Sequence, residues 1–139
     1  MIENNSKTMF KGKFSSKKQT INEKDLTWNR FIDTICSGDI SAMSGTKRKA
    51  VMCFWYDAEV NSGGHSGYFD NYPDTDINEL AAALTEISHN GYADNLTYAA
   101  EKGSADDYRT ADMNFGSYDR TLTEYLRGYV EANRQEIFN

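Results

Sequence analysis

Residues 51–71, VMCFWYDAEVNSGGHSGYFDN, decide the fold of this chain. The stretch begins as a run of large apolar residues, turns polar at Asp57, breaks at Gly63-Gly64 and resumes with Tyr68-Phe69. Its apolar residues cover most sides of a helix, and a helix that is apolar on most sides is buried on most sides. We therefore expect a central buried helix over residues 44–61, with the other helices packed around it.

Apolar periodicity and end signals predict further helices on both sides of this segment. Residues 23–37 repeat apolar side chains at helical spacing, and Asn22 or Asp25 can cap their start. Asp76 and Thr121 each open a capping box with a glutamate three residues later. Together with helices at 92–102 and 104–113, these signals predict an all-α fold. We expect one domain, residues 22–139, that forms a bundle of five to six helices.

The N-terminal arm, residues 1–21, differs from this domain in composition. It is polar and rich in lysine, and residues 9–14 are the one stretch that favours an extended segment. Residues 1–49 contain ten Lys/Arg and five Asp/Glu, whereas residues 50–139 contain five and sixteen. An acidic body repels nucleic acid and favours basic partners, although solubility alone also explains such a charge. We predict a protein partner and no direct binding to nucleic acid.

The glycine-rich residues 61–67 predict a loop after the central helix. Three glycines in five residues allow positive φ angles, and the N–H groups of such a loop need acceptors. Glu59 and Asn61 are the nearest acceptors in sequence, so we expect them to hold the loop. The alternative interpretation is an enzyme whose active site is built from Glu59, His65 and Asp70.

Several functional classes lack the residues that they require. There is no apolar run of 18 residues and no secretory leader, which predicts no membrane span and a cytoplasmic protein. Cys36 and Cys53 fit no metal or redox spacing and predict two buried thiols. No serine-hydrolase, phosphate-loop or zinc-protease motif is present. We therefore predict no metal, no cofactor and no enzymatic activity.

Residues 56–71, YDAEVNSGGHSGYFDN, resemble the E-V-N-N-G-G-F-x-Q-[YF]-F-x-N signature of the DMP19-like family. His65 stands where the family usually has an aromatic residue, and Gly67 where it often has glutamine. The resemblance extends over about residues 25–138 and includes the F-G-S-Y-D-R stretch that begins at Phe115. The residues of this chain that form the structural motif of the resemblance are Glu59, Asn61, Gly63, Gly64, Tyr68, Phe69 and Asn71.

This resemblance implies an all-helical fold and a role in binding a protein. The namesake of the family is a DNA mimic, in which surface carboxylates imitate phosphates and occupy the DNA-binding face of a transcription factor. By this analogy the partner is a basic DNA-binding protein. The candidate partner-binding residues are Asp106, Asp107, Asp112, Asp119, Glu124 and Glu131. An immunity-type or regulatory protein with another target is the alternative, and assembly as a homodimer stays open.

Overall fold

Helices account for the architecture of residues 22–139, the part of the chain that the computed structural model describes. This part contains seven α-helices and no strand, which confirms the predicted all-α class. The helices are α1 (Glu23–Arg30), α2 (Gly45–Asn71), α3 (Ile77–Ile87), α4 (Asn90–Lys102), α5 (Arg109–Phe115), α6 (Leu122–Ala132) and α7 (Arg134–Ile137). The predicted arm, residues 1–21, and its extended segment lie outside the described residues. None of the described helices is both long enough and apolar enough to cross a bilayer.

Helix α2 is the central element, as its sequence predicts. It packs against α3, α5, α6 and α7, and its buried side chains include Val51, Cys53, Tyr56 and Val60. The helix is longer than expected, because the predicted loop at 61–67 is mostly helical. After its first residue, Gly45, helix α2 leaves the helical conformation only at Gly64, so the helix resumes on the far side of a single kink.

Two hydrophobic clusters form the core, and burial of their apolar surface drives folding. The larger cluster surrounds Tyr56 and contains buried leucines from α3, α4 and α6. The second joins the beginning of the described chain to its end, because Phe31 packs with Val130 and Ile137. Phe31 belongs to a π-helical turn, Phe31–Ile35, that continues α1. This second cluster packs the last helices against the first.

The predicted caps are present at three helix starts. Asn22 accepts a hydrogen bond from the backbone N–H of Asp25 at 2.9 Å. Asp76 and Thr121 accept from the glutamate N–H groups three residues later, at 3.1 and 3.2 Å. His89 caps α4 in the same manner, with its Nδ1 3.0 Å from the N–H of Gly91. Each bond satisfies an N–H group that a first turn leaves without an intrahelical partner.

The basic first turn of α2 is neutralised by the acidic body. Arg48 binds both carboxylate oxygens of Glu79, at 2.7 and 3.1 Å, and also donates to the carbonyl of Ile40 at 2.9 Å. Lys49 lies 2.9 Å from Glu86. These bonds hold the pKa values of Glu79 and Glu86 below their ordinary range. Pairing with α3 therefore explains the cations at the positive end of the helix dipole.

Candidate functional site

Gly64 produces the kink at the centre of the signature segment. Its backbone angles, φ 69° and ψ −177°, lie in a region that essentially only glycine adopts. A Cβ atom at Gly64 would lie 2.6 Å from Oδ2 of Asp112, whereas one at Gly63 or Gly67 would meet no atom within 4 Å. Of the three glycines, Gly64 is therefore the one that both the backbone and the packing require.

Asp112 of α5 holds the chain at this kink. Its Oδ1 accepts the backbone N–H of His65 at 2.9 Å and lies 2.7 Å from Nδ1 of the His65 ring. On the other side of the ring, Nε2 lies 2.6 Å from the hydroxyl of Tyr56. With the proton on Nδ1, the ring donates to Asp112 and accepts from Tyr56, so every polar atom has a partner. The prediction that Glu59 and Asn61 accept the N–H groups of this segment is therefore wrong.

The two rings in this chain of hydrogen bonds are buried and neutral. His65 and Tyr56 are both 0% exposed. Burial lowers the pKa of His65, and the hydrogen bond and charge of Asp112 oppose that shift. Burial also raises the pKa of Tyr56 well above its usual value. Since solvent and solutes do not reach either ring, we interpret the role of this arrangement as structural: it stabilises the kink.

Glu59 and Asn61 bind other neighbours instead. Asn71 donates to Oε1 of Glu59 at 2.9 Å, a bond that bridges the kink from one side to the other. Asn61 donates to the backbone carbonyl and to Oδ1 of Asp57, at 2.8 and 2.9 Å. Each residue therefore stabilises the helix near the kink without contacting the N–H groups of the glycine stretch.

The buried carboxylate of this region is Asp57, which the sequence analysis did not select. Asp57 is 5% exposed, and its Oδ2 accepts a hydrogen bond from the Thr123 hydroxyl at 2.5 Å. Burial raises the pKa of Asp57, and the hydrogen bonds from Thr123 and Asn61 oppose the rise. A signal was present in the sequence, because Asp57 falls on the same helical stripe as Cys53 and Val60.

The three residues of the enzyme alternative do not form a site together. His65 bonds to Asp112 and Tyr56, and Glu59 bonds to Asn71. Asp70 is exposed. Among the described contacts there is no hydrogen bond between any two of Glu59, His65 and Asp70. The remaining motif residues pack: Tyr68 bonds to Thr75 at 3.0 Å, and Phe69 lies against Tyr108.

Three of the six candidate partner-binding carboxylates lie against a histidine or arginine side chain of the protein. Asp112 binds His65 at the kink. Glu124 lies 3.8 Å from Arg120, and Glu131 lies 3.4 Å from Arg134. The other three, Asp106, Asp107 and Asp119, have no Lys or Arg nitrogen within 4.0 Å in residues 22–139. Asp106 accepts two hydrogen bonds from Thr110, which hold its pKa below the usual value.

A cleft of about 740 Å³ opens between α2, the start of α3 and the 3₁₀ turn Ile40–Ala42. Apolar and aromatic side chains line it, among them Trp55, Tyr68 and Tyr72. Asp39, Asp74 and Asp76 line it as well, and all three are exposed. The signature segment thus forms one wall of this cleft, since Tyr68 and Asn71 belong to the motif.

The thiols and carboxylates of the described chain do not gather into a metal centre. In residues 22–139, no group of three or more His, Cys, Asp or Glu side chains has a metal-binding arrangement. Cys36 and Cys53 are free and buried, as predicted. Burial raises the pKa of Cys36 to about 12 and raises that of Cys53 as well. Both thiols are therefore protonated and poor nucleophiles.

The fold places the chain in the class of all-α proteins, and its central helix has a glycine kink. The family model of the DMP19-like proteins matches residues 41–137 of the chain. The match covers more than half of the sequence, and the chain belongs to the DMP19-like family. Neither a curated protein nor a solved structure matches the chain.

Proposed function

We propose that this chain is a non-enzymatic acidic module that binds a basic DNA-binding protein as a mimic of DNA. The observation that carries the proposal is an excess of carboxylates without neutralising partners. Residues 22–139 contain twenty Asp/Glu and ten Lys/Arg, a net charge of −10. Such a surface repels nucleic acid and attracts basic proteins, with effects on both encounter rate and specificity.

Most cations of the described chain are already used inside it. Five of them pair with carboxylates: Arg48, Lys49, Arg120, Arg127 and Arg134. Lys47 donates to the backbone carbonyl of Asn139 at 2.9 Å. These pairs leave the surface charge strongly negative.

Eleven exposed carboxylates have no Lys or Arg partner within residues 22–139, and they supply this negative charge. They are Glu23, Asp33, Asp39, Asp70, Asp74, Asp76, Asp94, Glu101, Asp107, Asp119 and Glu136. A mimic of DNA requires anionic groups that remain available to a partner's Arg and Lys side chains. Asp107 and Asp119 belong both to this set and to the predicted partner-binding residues.

The non-enzymatic part of the proposal is supported by the burial of the Asp112–His65–Tyr56 chain. That chain has the residue types of a proton relay, but its two rings, those of His65 and Tyr56, are 0% exposed. Two reduced thiols and a DNA-binding partner are compatible with a cytoplasmic location. We extend the proposal to that location.

The proposal is tested by capture of a partner with the full chain. The immobilised protein is incubated with lysate of its native host at low salt and eluted with a salt gradient. We expect a basic DNA-binding protein that elutes as salt rises and that is also released by duplex DNA carrying its site.

Matched variants show which carboxylates matter for this capture. One variant carries Asp106→Asn, Asp107→Asn and Asp119→Asn, and the control carries Glu23→Gln, Asp33→Asn and Glu136→Gln, with the same net charge. Stronger loss of capture in the first variant supports binding through the predicted residues. Capture of a toxin that duplex DNA does not release would contradict DNA mimicry and indicate the immunity-type alternative.

A further inference from the structure

We infer that the cleft between α2, α3 and the 3₁₀ turn binds an arginine side chain presented by the basic protein partner. The inference rests on the proposed function and assigns a specific contact surface to it. The cleft, of about 740 Å³, combines aromatic walls with carboxylates that no described cation neutralises. A guanidinium group on a long apolar stem matches both features.

The indole N–H of Trp55 and the hydroxyl of Tyr68 already have partners inside the protein. The indole N–H of Trp55 donates to the carbonyl of Cys36 at 3.2 Å. The hydroxyl of Tyr68 bonds to Thr75 at 3.0 Å, and its ring stacks on Tyr72 with centroids 5.1 Å apart. Trp55 and Tyr72 are partly exposed and therefore offer apolar and π surface to an occupant, whereas Tyr68, which is 4% exposed, supports the ring of Tyr72. An arginine stem buries such surface, and its cation is attracted to aromatic faces.

The charge of the cleft is strongly negative. Four carboxylates line it, those of Asp39, Asp74, Asp76 and Glu79, together with one cation, Arg48. Arg48 is fully engaged with Glu79 and the carbonyl of Ile40. The remaining three carboxylates leave the cleft with a net charge of −3. Asp39 and Asp76 each use Oδ1 as a cap, so their Oδ2 atoms and the carboxylate of Asp74 remain for charge-assisted hydrogen bonds to a guanidinium group.

A second cleft, of about 610 Å³, shows why the first is favoured. It is lined by Asp25, Glu124 and Glu131, but also by Lys24, Arg120 and Arg127. Arg127 binds Asp25, Arg120 lies near Glu124, and Arg134 lies near Glu131. The carboxylates there are already neutralised, and aromatic residues do not line this cleft.

The signature segment shapes the wall of the arginine cleft. The kink at Gly64 and the Glu59–Asn71 hydrogen bond fix the direction of the last turns of α2. Those turns contribute Tyr68, Asn71 and Tyr72 to the lining. The motif that identifies the family thus also builds the contact surface, although its own carboxylate, Glu59, does not line the cleft.

The test uses the full chain and a defined probe. The probe is an acetylated octapeptide of alternating arginine and serine, and its control replaces each arginine with citrulline, which is uncharged and of similar shape. We expect the arginine peptide to bind in low-salt calorimetry and to shift the Trp55 indole N–H signal in NMR spectra. The citrulline peptide should bind at least about tenfold more weakly, since it lacks the charge that the carboxylates attract.

Two double variants with equal net charge separate the cleft from the general field of the protein. Asp39→Asn with Asp74→Asn removes cleft charge, and asparagine at residue 39 can still cap the 3₁₀ turn. Asp33→Asn with Asp94→Asn removes two exposed charges that do not line the cleft. We expect a loss of at least about fivefold for the first pair and less than about twofold for the second.

The results distinguish failure of the arginine site from failure of the proposed function. Equal losses of peptide affinity in both double variants, or no binding of the arginine peptide, contradict arginine binding in the cleft. This holds even when lysate capture yields a DNA-binding protein. A selective loss in the cleft variant supports the cleft. If lysate capture then yields no DNA-binding protein, the proposed function fails while the arginine site stands.

Discussion

Two groups of carboxylates lie beside α2 and are used in opposite ways. Asp57 and Asp112 accept hydrogen bonds within the protein: Thr123 and Asn61 bind Asp57, and His65 binds Asp112. The exposed carboxylates that line the cleft have no cation partner among residues 22–139. The same side-chain chemistry therefore stabilises the fold on one side of α2 and leaves charge available to a partner on the other. The following experiments test this division.

Gly64→Ala should have the largest effect on stability. Alanine would have to adopt a backbone conformation that costs about 1–3 kcal/mol. Its Cβ would also lie 2.6 Å from Oδ2 of Asp112 and would displace that side chain. We expect a loss of about 3 kcal/mol or more in the free energy of unfolding, measured by urea denaturation.

Gly63→Ala is the matched control for that measurement. Gly63 is helical and open, so alanine there should stabilise the protein by about 0.5–1 kcal/mol. Similar effects of the two substitutions would show that the kink is not the required feature.

Asp112→Ala should destabilise the protein by about 2 kcal/mol. The substitution leaves the backbone N–H and Nδ1 of fully buried His65 without their acceptor, and an unpaired buried donor costs about 1–3 kcal/mol. Thermal unfolding measures the change, and Asp119→Ala, an exposed residue of the partner-binding set, should leave the melting temperature nearly unchanged. A melting temperature for Asp112→Ala equal to that of Asp119→Ala would contradict an inward role for Asp112.

Thr123→Val should cost about 1–2 kcal/mol, because it keeps the shape of the side chain and removes the donor to Asp57. The loss of that donor raises the pKa of Asp57 further. A carboxyl group whose pKa is higher in the folded than in the unfolded protein stabilises the fold at pH values below its unfolded pKa. This stabilisation is lost as pH rises through the folded pKa. The difference between variant and parent in urea unfolding should therefore widen from about pH 4 towards neutrality. A difference that is constant over this range would contradict the bond to Asp57.

Protonation of His65 should give the smallest effect of the series. Its pKa is lower in the folded than in the unfolded protein, since burial disfavours the charged ring. The unfolded chain therefore binds more protons once pH falls below about 6.5, and stability declines as pH falls through the folded pKa. NMR titration of the His65 ring between pH 7 and pH 5 measures this directly. A midpoint above the value for free histidine would contradict the assignment.

The sequence predicted the local features of the fold and missed the long-range ones. Caps and apolar stripes depend on residues three or four positions apart, so the starts of α3 and α6 are correct. The kink depends on Asp112, which lies 47 positions after His65. Sequence spacing does not show which of Gly63, Gly64 and Gly67 has a carboxylate against it. For the same reason, the sequence did not show that Asp112, and not Glu59, accepts the backbone N–H of His65.

The candidate site divides in a similar way. The number of carboxylates and the negative net charge of residues 50–139 follow from composition alone. Which of them stay free depends on tertiary pairs such as Arg48 with Glu79, 31 positions apart. The cleft likewise combines residues 36–40 with residues 68–79, whose proximity no local pattern predicts.

The second hydrophobic cluster has a consequence for synthesis on the ribosome. Phe31 packs with Val130 and Ile137, and Asp25 pairs with Arg127, which lies 102 positions later. Helix α1 and the π-helical turn that follows it therefore have none of these partners until residues 127–137 have been translated. At about 5–20 residues per second, Phe31 waits roughly 5–20 s for Val130 to be added. Among the contacts within residues 22–139, this one is thus among the last that can form during synthesis.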